Sequence, residues 1–129
     1  MGNKIDKLLE SLSKSKFRGS FHLNDKMKTY VIEKGITKIE KDANDIVIKR
    51  LSSENPVNDG KQTPMKQVHP VFIAQHATGC CCRGCLERIH HISKGKELNK
   101  YEINYIVEVL IKWIKNEIGE ENDNKEITK

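Results

Sequence analysis

The chain has 129 residues, 36% of them hydrophobic and 32% charged, with a formal net charge of +5. That balance describes one globular domain with a heavily charged surface and excludes an intrinsically disordered chain. The positive excess favours anionic partners, but Asp and Glu are interspersed among the lysines as on an ordinary solvated surface.

No apolar run approaches the roughly 18–20 residues that span a bilayer. The opening Met1-Gly2-Asn3-Lys4-Ile5-Asp6-Lys7 leads into an amphipathic stretch and lacks the apolar region of a signal peptide. Asp6 stands where a myristoylation signal has Ser or Thr. The expectation is a cytoplasmic protein with no membrane partner. All four cysteines crowd into Cys80, Cys81, Cys82 and Cys85. A secreted disulfide framework would spread them along the chain, whereas a cluster in a reducing compartment points to metal or thiol chemistry.

In chain order, Ile5, Leu8, Leu9 and Leu12 have helical spacing and predict a first helix, broken by the stretch from Lys14 to Ser20. Asn24 or Asp25 caps a second helix that runs to Gly35. Thr37 and Glu40 have capping-box spacing and open a third, with Ile39, Ala43, Ile46 or Val47, and Leu51 on its apolar face. Residues 52–67 read as a loop, with turn signals at Asn55-Pro56, Asn58-Asp59-Gly60 and Thr63-Pro64. Val71-Phe72-Ile73-Ala74 fits a short helix or a buried strand; Pro70, suited to a first helical position, favours helix. The stretch from Cys82 to Ile92 is expected to be helical in its second half. Asn99 and Glu102 open the clearest helix, with a stripe of Ile103, Val107, Leu110, Ile114 and Ile118 and a stop at Gly119. The predicted fold is a mainly α, single compact domain over residues 1–118, whose last helix packs over a central Cys/His segment. A flexible polar tail covers 119–129. A small α+β fold is the alternative.

Four chemistries compete for the segment from His76 to His91. Cys82-Arg83-Gly84-Cys85 has the two-residue gap that lets two sulfurs hold one ion, and His90 follows after four residues. This is the opening of a zinc knuckle, but Gly95 stands at the knuckle's last position, so the fourth ligand must be His76, Cys81 or His69. In a continuous helix, however, His90 would lie about 140° around the axis from Cys85. The site needs Cys85 at the helix mouth, where a thiolate is also stabilised. Second, Cys82, Cys85, Ile89 and Ile92 share a helical face and can be plain apolar packing. Third, a Cys-x-x-Cys pair beside Arg83 suits thiol redox chemistry, although the alternating strand–helix context is missing. Fourth, an iron–sulfur cluster would need ligands from a second chain.

Two weaker motifs remain. Asn58, Asp59, Lys61 and Gln62 form a polar loop that can offer ligand contacts, although the match to a phosphate loop fails at Asn55. Lys14, Lys16 and Arg18, with Phe17 and Phe21, can meet nucleic-acid phosphates and bases.

Phe17-Arg18, Phe21-His22-Leu23, the run from Asn58 to Met65, the run from His69 to Thr78 and Cys81-Cys82-Arg83-Gly84-Cys85-Leu86 together resemble a small bacterial family, domain of unknown function 4186. The resemblance runs from about Lys14 to Ile114, and the family pattern also carries a His at the position of His90. The chain departs from it at Gln67-Val68, Cys80, Ile89 and His91, which makes Cys80 and His91 the least expected ligands. The family name implies no activity. The reading taken forward is a zinc site, with iron as the lesser choice. Its ligands are Cys82, Cys85 and His90, completed by His76 or Cys81. The alternatives are a nucleic-acid-binding module and a metal- or thiol-dependent enzyme whose open coordination position faces the loop at Asn58–Gln62.

Overall fold

The computed structural model describes residues 2–53 and 67–119. They form six helices: α1 (Gly2–Ser13), α2 (Asp25–Lys34), α3 (Ile36–Arg50), α4 (Pro70–Thr78), α5 (Arg83–His90) and α6 (Lys100–Ile118), with a single 3₁₀ turn at Arg18–Ser20. Among the described residues there is no strand, so the fold is mainly α and the α+β alternative is not taken. None of these helices is long and apolar enough to cross a membrane.

The segment whose type the sequence leaves open, residues 70–76, is helical. Pro70 sits in its first turn, the His69 side chain caps it by accepting the Val71 N–H at 3.1 Å, and Gly79 ends it at φ 75°. This helix α4 is the hub of the bundle. All its residues except Phe72 are buried, and it touches α1, α2, α3, α6 and the 3₁₀ turn. A helix buried on every side shows no apolar stripe, which is why periodicity alone cannot separate it from a strand.

Around α4, the longest helix α6 packs against both α3 and α4. Its capping box is present as expected, with Asn99 Oδ1 accepting the Glu102 N–H at 2.8 Å and Glu102 Oε1 accepting the Asn99 N–H at 2.9 Å. Its buried face is Ile106, Val107, Val109, Leu110, Ile111 and Ile114, wider than the expected stripe because two helices cover it. Asn24, rather than Asp25, caps α2 by accepting the Met27 N–H at 2.9 Å.

The capping box expected at Thr37 and Glu40 does not form. Gly35, at φ 85°, ends α2 and begins α3 in the same residue, so Thr37 already lies inside the helix. The apolar face of α3 is Ile39, Ala43 and Val47 as expected, with Ile46 only half-buried and Leu51 buried just past the end. Most of the loop expected at 52–67 lies outside the described residues, and so does the tail at 120–129.

Candidate metal centre

Four residues, 79–82, join the C-terminal end of α4 to α5, and all the cysteines fall on this junction or in the first turn of α5. Gly79 makes the turn possible. Its φ of 75° disfavours side chains, and a Cβ there would come within 2.4 Å of the Ile89 Cδ1 atom. Cys82 is extended and caps α5, its Sγ accepting the Cys85 N–H at 3.4 Å. Cys85 therefore sits in the first turn of α5, at the helix mouth. The helix begins at Arg83, earlier than expected, because a sulfur serves as the cap where sequence signals look for oxygen.

The Sγ atoms of Cys81, Cys82 and Cys85 lie within 4.8 Å of one another, and no imidazole joins that group among the described residues. Cys81 Sγ donates to Cys85 Sγ at 3.8 Å. Tetrahedral zinc about 2.3 Å from each sulfur would set the sulfurs about 3.8 Å apart, so the three need only a small contraction to share an ion.

Two arginines converge on the same place. The Arg18 guanidinium, carried by the 3₁₀ turn, donates to Cys85 Sγ at 3.2 Å, to Cys81 Sγ at 3.9 Å and to the His76 carbonyl at 2.6 Å. Arg88, one turn along α5, donates to Cys85 Sγ at 3.4 Å. The electrostatics follow this placement. Burial pushes the Cys85 thiol up, but hydrogen bonds from Cys82 and Cys81 and the nearby Arg18 outweigh it and hold Cys85 below the usual thiol range. Burial, reinforced by the neighbouring Cys85 and Cys82, pushes Cys81 up to about 12. Burial lowers Arg18, but the cysteine sulfurs more than restore it, so it stays charged.

Arg83, which the redox reading places beside the thiols, is elsewhere. It is fully buried, and its two terminal nitrogens donate to the carbonyls of Leu51, Ser53, Ser93 and Lys96 at 2.7–3.0 Å. It ties the end of α3 to the chain after α5. The charge near the sulfurs comes from Arg18 and Arg88 instead. Arg88 is three residues past Cys85 and could have been found from helical spacing. Arg18 is 67 residues away, and its sequence signals, the basic cluster at Lys14–Arg18 and the Phe17-Arg18 pair within the family resemblance, did not point to the cysteines.

The histidines are placed apart from the sulfur group. His90 lies around α5 from Cys85, as the 3.6-residue turn requires. Its Nε2 donates to the Thr78 carbonyl at 2.7 Å and its Nδ1 accepts from the Tyr105 hydroxyl at 2.9 Å. Burial lowers its pKa. The His76 ring stacks on Phe21 at 5.4 Å. His69 uses Nδ1 in capping α4, and its Nε2 donates to Asp42 at 3.1 Å. Cys80 is the cysteine that joins the hydrophobic core cluster. Fully buried within the core, with Sγ 3.4 Å from His90, it is pushed by burial up to about 12. Within the Lys14–Arg18 cluster, Arg18 turns to the sulfurs and Phe21 stacks on His76, while Lys14, Lys16 and Phe17 are exposed. The loop residues Asn58, Asp59, Lys61 and Gln62 lie outside the described residues.

No solved structure matches this chain. The family model described as domain of unknown function 4186 matches residues 6–115, and the chain belongs to that family.

Proposed function

We propose that this is a metal-binding protein that holds one zinc ion through the thiolates of Cys81, Cys82 and Cys85. The observation that carries the reading is the grouping of three sulfurs within 4.8 Å, a separation close to what tetrahedral zinc requires. Cys81 completes the set that Cys82 and Cys85 begin, in preference to His76 or His90. Three thiolates on a divalent ion leave an excess negative charge. The guanidinium donors of Arg18 and Arg88 on Cys85 offset it and orient the ligand, as outer partners do in thiolate sites.

A three-sulfur set leaves one tetrahedral position for water or an exogenous ligand. That is the pattern of catalytic zinc rather than of a closed structural site, and it favours a metal-dependent enzyme as the second reading. The deciding measurement is elemental analysis of protein purified without a polyhistidine tag. Zinc at one equivalent per chain, with a melting temperature that falls on chelation, is the expected result. Zinc far below one equivalent, together with a melting temperature indifferent to zinc and chelator, overturns the reading.

A further inference from the structure

The three sulfurs are not equivalent. Cys82 Sγ is engaged as the cap of α5. Cys85 Sγ receives both guanidinium groups, from Arg18 at 3.2 Å and Arg88 at 3.4 Å, whereas Arg18 reaches Cys81 Sγ at the longer distance of 3.9 Å. Cysteines that react with oxidants sit beside cationic donors at helix starts, and Cys85 has that placement. Cys81 Sγ points its hydrogen at Cys85 Sγ from 3.8 Å, so a second thiol stands beside the first. Sensor cysteines are often arranged in this way, with a resolving cysteine next to the reactive one. We propose that Cys85 and Cys81 form a reversible disulfide in response to hydroperoxides, with Cys85 reacting first and Cys81 resolving.

The Cys85 thiolate attacks one peroxide oxygen. The O–O bond breaks, and the other oxygen leaves as water or an alcohol after taking a proton from solvent. The sulfur, oxidised by two electrons, becomes a sulfenic acid. The Cys81 sulfur then attacks the Cys85 sulfur. The S–O bond breaks, and the departing hydroxide takes the Cys81 proton and leaves as water. Two thiols and one hydroperoxide thus yield a disulfide and two hydroxylic products. The sulfurs must close by about 1.8 Å to reach bonding distance. Cys81 precedes the cap of α5 in the irregular link, so it can move without unwinding a helix. Cys80 cannot take part, because it is wholly buried in the core beside His90.

The disulfide consumes two of the three sulfurs, so it excludes the bound ion. This consequence, zinc release on oxidation, rests on the zinc reading; the disulfide itself does not. The test treats the purified wild-type protein with hydrogen peroxide, alkylates the remaining thiols and maps the peptides by mass spectrometry. The expected result is loss of two hydrogens per chain, a link from Cys81 to Cys85, reversal by dithiothreitol, and release of zinc over the same dose range. Cys81→Ser should lose the link and gain one oxygen at Cys85, trapped by dimedone, while Cys80→Ser should keep the link. A link from Cys82 to Cys85, or oxidation of Cys85 beyond the sulfenic state with no link in wild type, overturns the proposal. Zinc in the untreated protein is measured separately. A zinc-free protein that still forms the link refutes the zinc reading and supports the disulfide, and a zinc-loaded protein that forms no link refutes the disulfide alone.

Discussion

Replacing Arg18 by Met tests whether a residue outside the cysteine cluster sets the affinity of the site. Its guanidinium lies 3.2 Å from Cys85 Sγ. At an effective dielectric constant near 20, a unit charge about 4 Å from a thiolate gives a gross attraction of about 4 kcal/mol. Arg18 is only half-buried, Arg88 remains in place 3.4 Å from the same sulfur, and the wild-type pair already bears a desolvation cost. The net loss should therefore be about 1.4–2.7 kcal/mol, or roughly 10–100-fold in zinc affinity, the range found for outer partners of metal ligands. The metal-free protein should lose stability separately, because the bond from Arg18 to the His76 carbonyl at 2.6 Å joins the 3₁₀ turn to α4. Discounted for exposure, that bond contributes about 1–2 kcal/mol, or roughly 3–10 °C in melting temperature. Competition titration against a chromophoric zinc chelator reads the first effect, and thermal melts in excess chelator read the second. Zinc affinity within threefold of wild type would refute the assignment of Arg18 to the site, whatever happens to the melt.

His90→Ala should lower stability by about 1–3 kcal/mol, since the Thr78 carbonyl loses its 2.7 Å partner, yet leave zinc at one equivalent; loss of zinc by elemental analysis would return His90 to the ligand set. Arg83→Met should cost about 3–5 kcal/mol in urea unfolding, because four carbonyls lose a buried cationic donor, and a cost under about 1 kcal/mol would contradict the role given to it. Asp42 governs an acid-labile contribution. Partial burial raises its pKa, but hydrogen bonds from Lys38 and His69 outweigh this and hold it below the usual carboxylate value. A lowered folded pKa contributes stability that is present above the ordinary carboxylate value and is lost as pH falls through the folded value, so Asp42→Asn should lower the neutral plateau of a stability–pH profile, leave its acid end nearly unchanged and thereby flatten the acid limb. An acid limb of unchanged slope in that variant would remove Asp42 from the account.

Most of the helical frame was legible because amphipathic helices announce themselves. The faces of α3 and α6 follow from the spacing of Ile39, Ala43 and Val47 and of Val107, Leu110 and Ile114. The failures have local causes. Gly35 lets two helices abut without a polar cap between them, so the capping-box pattern at Thr37 and Glu40 is coincidental. Every residue of helix α4 except Phe72 is buried, so only Pro70 hinted at its type. In the site, clustering of the cysteines was visible at once, and helical geometry already counted against His90. Arg18 was out of reach. Its approach to the sulfurs depends on the 3₁₀ turn lying against α4, a tertiary contact that no local pattern encodes.

The position of Arg18 also suits the junction to the thiolates of the proposed site. Two helix ends of opposite polarity meet there. The C-terminal end of α4 presents carbonyl oxygens, whose partial negative charge disfavours thiolates nearby. The N-terminal end of α5 presents N–H groups, one of which Cys82 Sγ accepts. Arg18 spans the two, with one nitrogen on both the His76 carbonyl of α4 and Cys81 and the other on Cys85 of α5. It cancels the unfavourable end with the same charge that serves the sulfurs, and Arg88 adds a second cation from the solvent side of α5. A lysine could not do this, because its point charge lacks the fork that reaches two acceptors at once. The chemistry of the junction therefore depends on a planar guanidinium delivered from a distant turn as much as on the cysteines.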